Sequence, residues 1–289
     1  MSDLIALLRG SLAAGEPAAL VEIAEIKGST PREAGALMLV TPRGIAGTIG
    51  GGALEFRAID AALVMLADGR PDEIMELPLG PELGQCCGGW VSLHLSVADG
   101  ACLARLERRQ AEEAAARPSI LIFGAGHVGR ALAQALALLP FRISLIDTRA
   151  EMLAGLPSEV ETHVAALPES LVGEAPAHAA YAVMTHDHAL DFLIAEAALR
   201  RGDAAYVGMI GSATKREQFR RHLVRGDLGE SISRLTLPIG GSSVKDKRPA
   251  VIAALAAAEM TSCLLLRQQE IVTDRLAAAP AGCNSAAAG

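Results

Sequence analysis

The sequence predicts an α/β protein: a C-terminal Rossmann-like parallel sheet with helices on both faces, preceded by a smaller N-terminal α+β domain. Three observations predict it. A buried-type strand, Ser119-Ile120-Leu121-Ile122-Phe123, runs directly into Gly124-Ala125-Gly126-His127-Val128-Gly129. A second strand, Ile143-Ser144-Leu145-Ile146, ends in Asp147, about 20 residues after those glycines, as the dinucleotide fold requires. Strand and helix patterns then alternate after Pro118, whereas before it short strands are separated by glycine and proline turns.

In chain order, residues 3–14 read as a short amphipathic helix and Ala19-Leu20-Val21-Glu22-Ile23-Ala24-Glu25-Ile26 as a strand. Lys27-Gly28-Ser29-Thr30-Pro31-Arg32 is turn chemistry, Ala36 to Val40 is a second strand, and Thr41-Pro42-Arg43-Gly44 turns into a third. Gly50-Gly51-Gly52 opens a helix through Ala67, and strands near 73–77 and 90–97 flank a Cys-Cys turn. Residues 1–99 thus form the N-terminal domain. Residues 100–118, rich in Ala, Glu and Arg, form a connecting helix.

Residues 119–267 form the Rossmann-like domain. Strands near 119–123, 142–147, 179–184 and 204–208 alternate with helices near 127–138, 188–200 and 212–224. An Ala/Leu helix over 248–266 suits either core or the surface of a homodimer. Residues 268–289, ending in small residues, read as a disordered tail.

Composition excludes some functions. The chain is 51% hydrophobic and 3% aromatic, a mixture suited to helices packed on sheets. A net charge of −7 and a pI near 5.5 argue against nucleic-acid binding, which needs a basic face. No segment matches the run of ~20 apolar residues of a membrane span. Met1-Ser2-Asp3-Leu4 lacks the start of a secretory signal. Five cysteines, an odd and scattered set, do not form a disulfide framework, which predicts a reducing, cytoplasmic setting.

Several motifs can carry chemistry. Gly84-Gln85-Cys86-Cys87-Gly88-Gly89 sets adjacent thiols among glycines, where ordinary disulfide geometry is disfavoured and a soft metal, a sulfur atom in transit or a redox step is suited. In Gly124-Ala125-Gly126-His127-Val128-Gly129 the first glycine makes the turn, Gly126 admits a phosphate and Gly129 packs helix on strand, while His127 replaces the usual small residue. Gly47-Thr48-Ile49-Gly50-Gly51-Gly52-Ala53-Leu54-Glu55 is a candidate backbone anion nest. Gly208-Met209-Ile210-Gly211-Ser212 repeats a strand-to-helix turn, with Lys215 and Arg216 as candidate anion ligands. Thr185-His186-Asp187-His188 ends a strand. With Asp191 it suits a polar site or a metal, and Asp187 is equally suited to capping the next helix.

In this order the stretches Gly28 to Arg32, Gly47 to Glu55, Gln85 to Gly89, Phe123 to Gly129, Thr185 to His188 and Gly208 to Ser212 resemble the XdhC/CoxI family of xanthine dehydrogenase accessory proteins, across residues 20–240. The sequence departs from the family after Leu237-Pro238-Ile239-Gly240, where it reads Gly241-Ser242-Ser243-Val244-Lys245-Asp246-Lys247-Arg248-Pro249. The resemblance implies binding of molybdenum cofactor (molybdopterin), exchange of a molybdenum oxo ligand for sulfur, and delivery to apo-xanthine dehydrogenase. Implied partners are the molybdenum subunit of that enzyme, a cysteine desulfurase and a molybdenum cofactor biosynthesis protein.

On that reading Gly50, Gly51, Gly52, Gly124, Gly126, Gly129, Gly211, Ser212 and Lys215 surround the cofactor's phosphate. His127, His186, Asp187 and His188 meet its polar edges, and Cys86 or Cys87 contacts molybdenum or relays sulfur. The competing reading is an NAD(P)-dependent oxidoreductase, supported by the glycine turn and Asp147, with Arg149 suited to a phosphorylated ribose. His127 and the lack of a clear acid–base pair weigh against it. A metal or redox sensor built on Cys86, Cys87, His186 and His188 leaves three glycine turns unexplained.

Overall fold

The computed structural model describes residues 1–80, 88–241 and 243–278. Cys86 and Cys87, and the part of the expected tail beyond Ala278, lie outside the described residues. The chain divides into two compact units, Met1–Ala116 and Arg117–Gly289.

The first unit holds α1 (Ser2–Ala13), β1 (Ala19–Lys27), β2 (Leu37–Thr41), β3 (Gly44–Gly47), α2 (Gly52–Ala67), β4 (Asp72–Leu79), β5 (Gly89–Val97) and α3 (Gly100–Ala115). Its sheet is antiparallel in the order β3-β2-β1-β5-β4. β2 reads as a continuous apolar run because both of its faces are covered, whereas β5 alternates apolar residues with Ser92, His94 and Ser96. Val21, Ile23, Leu93 and Leu95 pack with Leu54, Ala58, Ala62 and Met65, which recur on one side of α2. Leu20 and Leu39 point the other way, with Leu8 of α1 and Leu106 of α3. Asp99 starts α3 by accepting from Cys102 N at 2.8 Å.

The second unit contains β6 (Ser119–Phe123), α4 (His127–Leu136), β7 (Arg142–Asp147), β8 (Val160–Val164), α5 (Ser170–Glu174), β9 (Ala180–Val183), α6 (His188–Arg201), β10 (Tyr206–Met209), α7 (Ala213–Arg225), β11 (Leu235–Thr236) and α8 (Pro249–Ala278). All its strands are parallel, in the order β11-β10-β9-β6-β7-β8. The chain winds one way from β6 to β8 and the other way from β9 to β11, so the order reverses between β6 and β9. That is where a doubly wound sheet opens its crevice. One face carries α4 and α8, the other α5, α6 and α7.

Three elements were not foreseen: β8, α5 and β11. β8 is an edge strand of which only Val160 is buried, so it lacks an apolar period. The last helix continues past residue 267 to Ala278. Its stretch Pro249–Ile271, with mean hydropathy 1.8, is long and apolar enough to cross a membrane, which corrects the expectation that no such segment exists. Ala253, Ala256, Met260 and Leu264 are nonetheless buried in the core that α4 shares, which gives the apolar character a packing role.

The Gly124–Gly129 turn is built on close approach. Gly124 has φ +108°, and a side chain there would sit 2.4 Å from the Met184 carbonyl oxygen. A methyl group at Gly129 would lie 1.9 Å from the Gly124 oxygen. Gly129→Ala should therefore destabilise the protein by about 1–3 kcal/mol or more through overpacking, read as a lowered urea midpoint. An unchanged midpoint would show that the helix does not need this approach.

Candidate functional site

Three of the sequence motifs meet within the first unit. Ser29 forms a parallel bridge with Gly88, the residue that follows Cys87 in the chain. A side chain at Gly28 would stand 3.4 Å from Gly89 Cα, and one at Gly89 would stand 2.1 Å from the Ser29 oxygen. Gly50, at φ +129°, is pressed against Pro31, whose Cγ would be 2.5 Å from an added Cβ. The Gly28–Arg32 loop thus touches both the glycine loop before α2 and the two glycines that close the Cys-Cys turn. Lys27 Nζ lies 4.5 Å from the centre of the Trp90 ring, a cation–π contact that ties the end of β1 to the start of β5.

The expected anion nest at Gly50–Gly52 is already filled by the chain itself. Glu55 Oε1 accepts from Thr48 Oγ1 at 2.5 Å, Ile49 N at 3.0 Å and Gly51 N at 2.9 Å. Burial pushes the Glu55 carboxyl up, but these donors together outweigh it and hold it below its ordinary value. Gly51 and Gly52 have φ +78° and +62° with open space beside them, so backbone conformation alone demands glycine there. Glu55, read from sequence as a helix-start charge, is the carboxylate that closes the nest.

A carboxylate likewise enters the glycine turn of the second unit. Asp147, buried at the end of β7, accepts through Oδ2 from Ala125 N at 2.7 Å. Arg149 clamps both of its oxygens, with Nε 2.9 Å from Oδ1 and Nη2 3.1 Å from Oδ2. Burial raises the Asp147 carboxyl, yet the Arg149 and backbone hydrogen bonds prevail and leave it below its usual range. The crevice between Gly124, Asp147, Thr185 and His186 holds only about 10 Å³, roughly one water. Gly126 is different. Its φ is −68°, an added Cβ would meet nothing within 4 Å, and no side chain caps α4. Among the described residues neither close approach nor a positive φ requires glycine at 126, where it serves as the N-cap of α4 and leaves the helix start open to a ligand. His127 is exposed beside it.

At the ends of β9 and β10 the sequence offers Lys215 and Arg216 as anion ligands, and here the geometry corrects it. Lys215 is buried, with Nζ 2.5 Å from Asp191 Oδ2 and 3.0 Å from the Ile210 oxygen. Arg216 donates to the carbonyls of Ile232, Leu235 and Leu237. Both charges are committed to structure. Asp191, wholly buried, also accepts from Thr185 N at 2.9 Å and Thr185 Oγ1 at 2.7 Å.

Asp187 caps α6 by accepting from Ala189 N at 2.8 Å, the capping role weighed from sequence. Ser212 caps α7 through Lys215 N, and Gly211 is required because an added Cβ would sit 2.6 Å from Lys215 Cδ. His186 and His188 are exposed, with His186 on the crevice wall. Among the described residues no group of three or more His, Cys, Asp or Glu side chains is placed to hold a metal ion. Burial pushes the thiols of Cys102 and Cys263 up, which makes them poor nucleophiles.

Lys215→Met strands a buried carboxylate and should cost about 3–5 kcal/mol, whereas Asp191→Leu combined with Lys215→Met should recover most of the loss in urea melts. A double variant as unstable as the single one would deny the pairing. Asp147 gives a pH signature. Its folded value lies below the ordinary 3.8, so its contribution is present above that value and is lost as the pH falls through the folded one. Wild-type stability should fall as the pH drops below roughly 5 and go on falling through the lowered folded value, and Asp147→Asn should flatten that slope. Parallel curves for the two proteins would contradict it.

Comparison with known proteins agrees with both units. The profile of the XdhC Rossmann domain matches residues 120–260, and that of the XdhC and CoxI family matches residues 11–77. The uncharacterized protein YqeB of Escherichia coli (strain K12) is 32% identical over 235 residues. The match takes in 78% of this chain but only 39% of YqeB, so the chain spans well under half of that relative's length. A protein of Bacillus halodurans whose crystal structure is described as a xanthine dehydrogenase superposes with a TM-score of 0.75, covering 91% of this chain and 96% of that one. At 18% identity this likeness shows a shared fold. With one profile on each unit, in the order the motifs run, the chain belongs to the XdhC and CoxI family.

Proposed function

We propose that this chain is an accessory protein of the XdhC type. It binds molybdenum cofactor in the cytoplasm, assists exchange of an oxo ligand for sulfur, and passes the cofactor to apo-xanthine dehydrogenase. One observation carries the reading beyond family membership: the Gly28–Arg32 loop docks on Gly88 and Gly89, next in the chain to Cys86 and Cys87. A redox or metal sensor needs the thiols but not that loop, which is a separate stretch of the family resemblance.

The chain's own residues fit the cofactor in two places and fail to fit it in a third. Cys86 and Cys87 offer thiolate, a soft ligand suited to molybdenum. The Gly126 turn and the uncapped start of α4 suit a phosphate. Gly50–Gly52 does not, because Glu55 holds the amides of Ile49 and Gly51, Thr48 Oγ1 holds that of Gly50, and the Glu55 carboxylate would repel a second anion. When bound, the cofactor supplies the exchangeable oxo ligand. The thiols hold or shield that centre, and a cysteine desulfurase supplies the sulfur. The other partners are a cofactor biosynthesis protein as donor and the molybdenum subunit of xanthine dehydrogenase as acceptor.

The oxidoreductase reading loses support at Asp147. Both of its oxygens are taken by Arg149 and Ala125 N, which leaves a ribose no free carboxylate. The deciding measurement compares binding of molybdenum cofactor, NAD(H) and NADP(H) to the purified chain; tight nicotinamide binding without cofactor binding would overturn the proposal. Cys86→Ala with Cys87→Ala should weaken cofactor retention roughly tenfold, about 1.4 kcal/mol, while thermal unfolding stays unchanged. Full retention and full activation of xanthine dehydrogenase by the double variant would remove the thiols from the mechanism.

A further inference from the structure

The Gly208–Ser212 turn was expected to take its positive charge from Lys215, which is instead spent on Asp191. A second source of charge lies beside the turn. Gly211 borders a cleft of about 360 Å³ whose other walls come from the segment after β11 and the first turns of α8, including Lys245, Lys247, Ile252 and Leu255. The volume is at the lower end for a small-molecule site, too small for a dinucleotide and far larger than a bare anion needs.

The charges in this cleft are unbalanced. The chain has only four lysines among 26 basic residues. Lys27 lies over Trp90 and Lys215 meets Asp191, so the remaining two are both here. Asp246 also lines the cleft, but its carboxylate is taken by Arg248, whose Nη2 and backbone N lie 2.6 and 2.8 Å from it. Among the described residues no acidic side chain pairs with Lys245 or Lys247. Two ammonium groups lining one cleft favour an anion in it. The Gly211 amide also lacks a partner among the described residues.

The floor of the cleft is held firmly. Glu259 Oε2 of α8 accepts from Gly240 N at 2.9 Å and from Tyr206 Oη at 2.7 Å, which pins the loop to both the helix and β10. Gly240 packs so closely on α8 that an added Cβ would be 3.1 Å from Leu255 Cβ. Ile252 and Leu255 are half-buried and give an apolar wall of the kind a flat ring uses.

We infer that this cleft binds an organic phosphate of mononucleotide size, its ring against Ile252 and Leu255 and its phosphate on Lys245, Lys247 and the Gly211 amide. The inference reassigns Gly211, which the family resemblance gives to the cofactor's phosphate, and uses neither the thiols nor the Gly126 turn. The test is calorimetric titration of the full chain with AMP, GMP and inorganic phosphate, using wild type and Lys245→Gln combined with Lys247→Gln. Both lysines are exposed, so the double variant should keep the wild-type melting temperature. At least one nucleotide should bind, more tightly than inorganic phosphate, at least tenfold more weakly in the double variant, and more weakly as salt rises. Failure of both nucleotides to bind overturns the inference. So does equal affinity in the variant, or phosphate alone binding as tightly as the nucleotides. None of these outcomes depends on cofactor binding by the cysteine region, so failure here leaves that proposal standing.

Discussion

The ligand edge of the second unit depends on one buried ion pair. Asp191 sits in the first turn of α6 and Lys215 in the first turn of α7, and both are almost sealed from water. Neither charge can be tolerated there alone, since desolvation costs several kcal/mol per ion. Together they tie four pieces of chain: Asp191 holds the Thr185 loop, and Lys215 reaches the Ile210 carbonyl at the end of β10. The carboxyl ends of β9 and β10 therefore move as a unit with the two helices that follow them. A positive charge at a helix start opposes the dipole, and the aspartate beside it removes that conflict.

The same device recurs in three loops. Glu55 enters the loop before α2, Asp147 the turn after β6, and Asp191 the loop after β9. In each place a carboxylate from the chain accepts from amides that would otherwise need a ligand or water. The loops are thus shaped before anything binds, which lowers the ordering cost of binding. They also discriminate, because a second anion cannot share an amide that a carboxylate already holds. The amides left open, at the start of α4 and at Gly211, are where an anionic ligand meets least opposition.

Much of this fold was legible because its strands are buried on both faces. Ser119–Phe123, Arg142–Asp147 and Ala180–Val183 read as strands with no structural knowledge, and the spacing from Gly129 to Asp147 placed the crevice. The polar edge strand with Glu161, Thr162 and His163 and the two-residue β11 offered no such pattern. The site was less legible, for a physical reason. Sequence shows donors clustered at glycine turns but not which distant carboxylate returns to them: Asp191 is 24 residues from Lys215, and Asp147 is 22 from Ala125. Sequence alone offers Asp191 as a metal ligand and Lys215 as an anion ligand, whereas each is the other's partner.

Glycines show most plainly how packing and function divide. Gly124 and Gly129 are required by the protein's own atoms, since any side chain there meets a carbonyl. Gly51 and Gly52 are required by backbone angle with space to spare. Gly126 is required by neither, although a glycine opening a helix loses conformational entropy that another residue would not. As the N-cap of α4 it leaves the first amides of the helix without a side-chain acceptor, and such amides favour negative charge. The turn resembles a dinucleotide loop in sequence. With Asp147 closed by Arg149, however, it lacks the free carboxylate that reads a ribose in such loops.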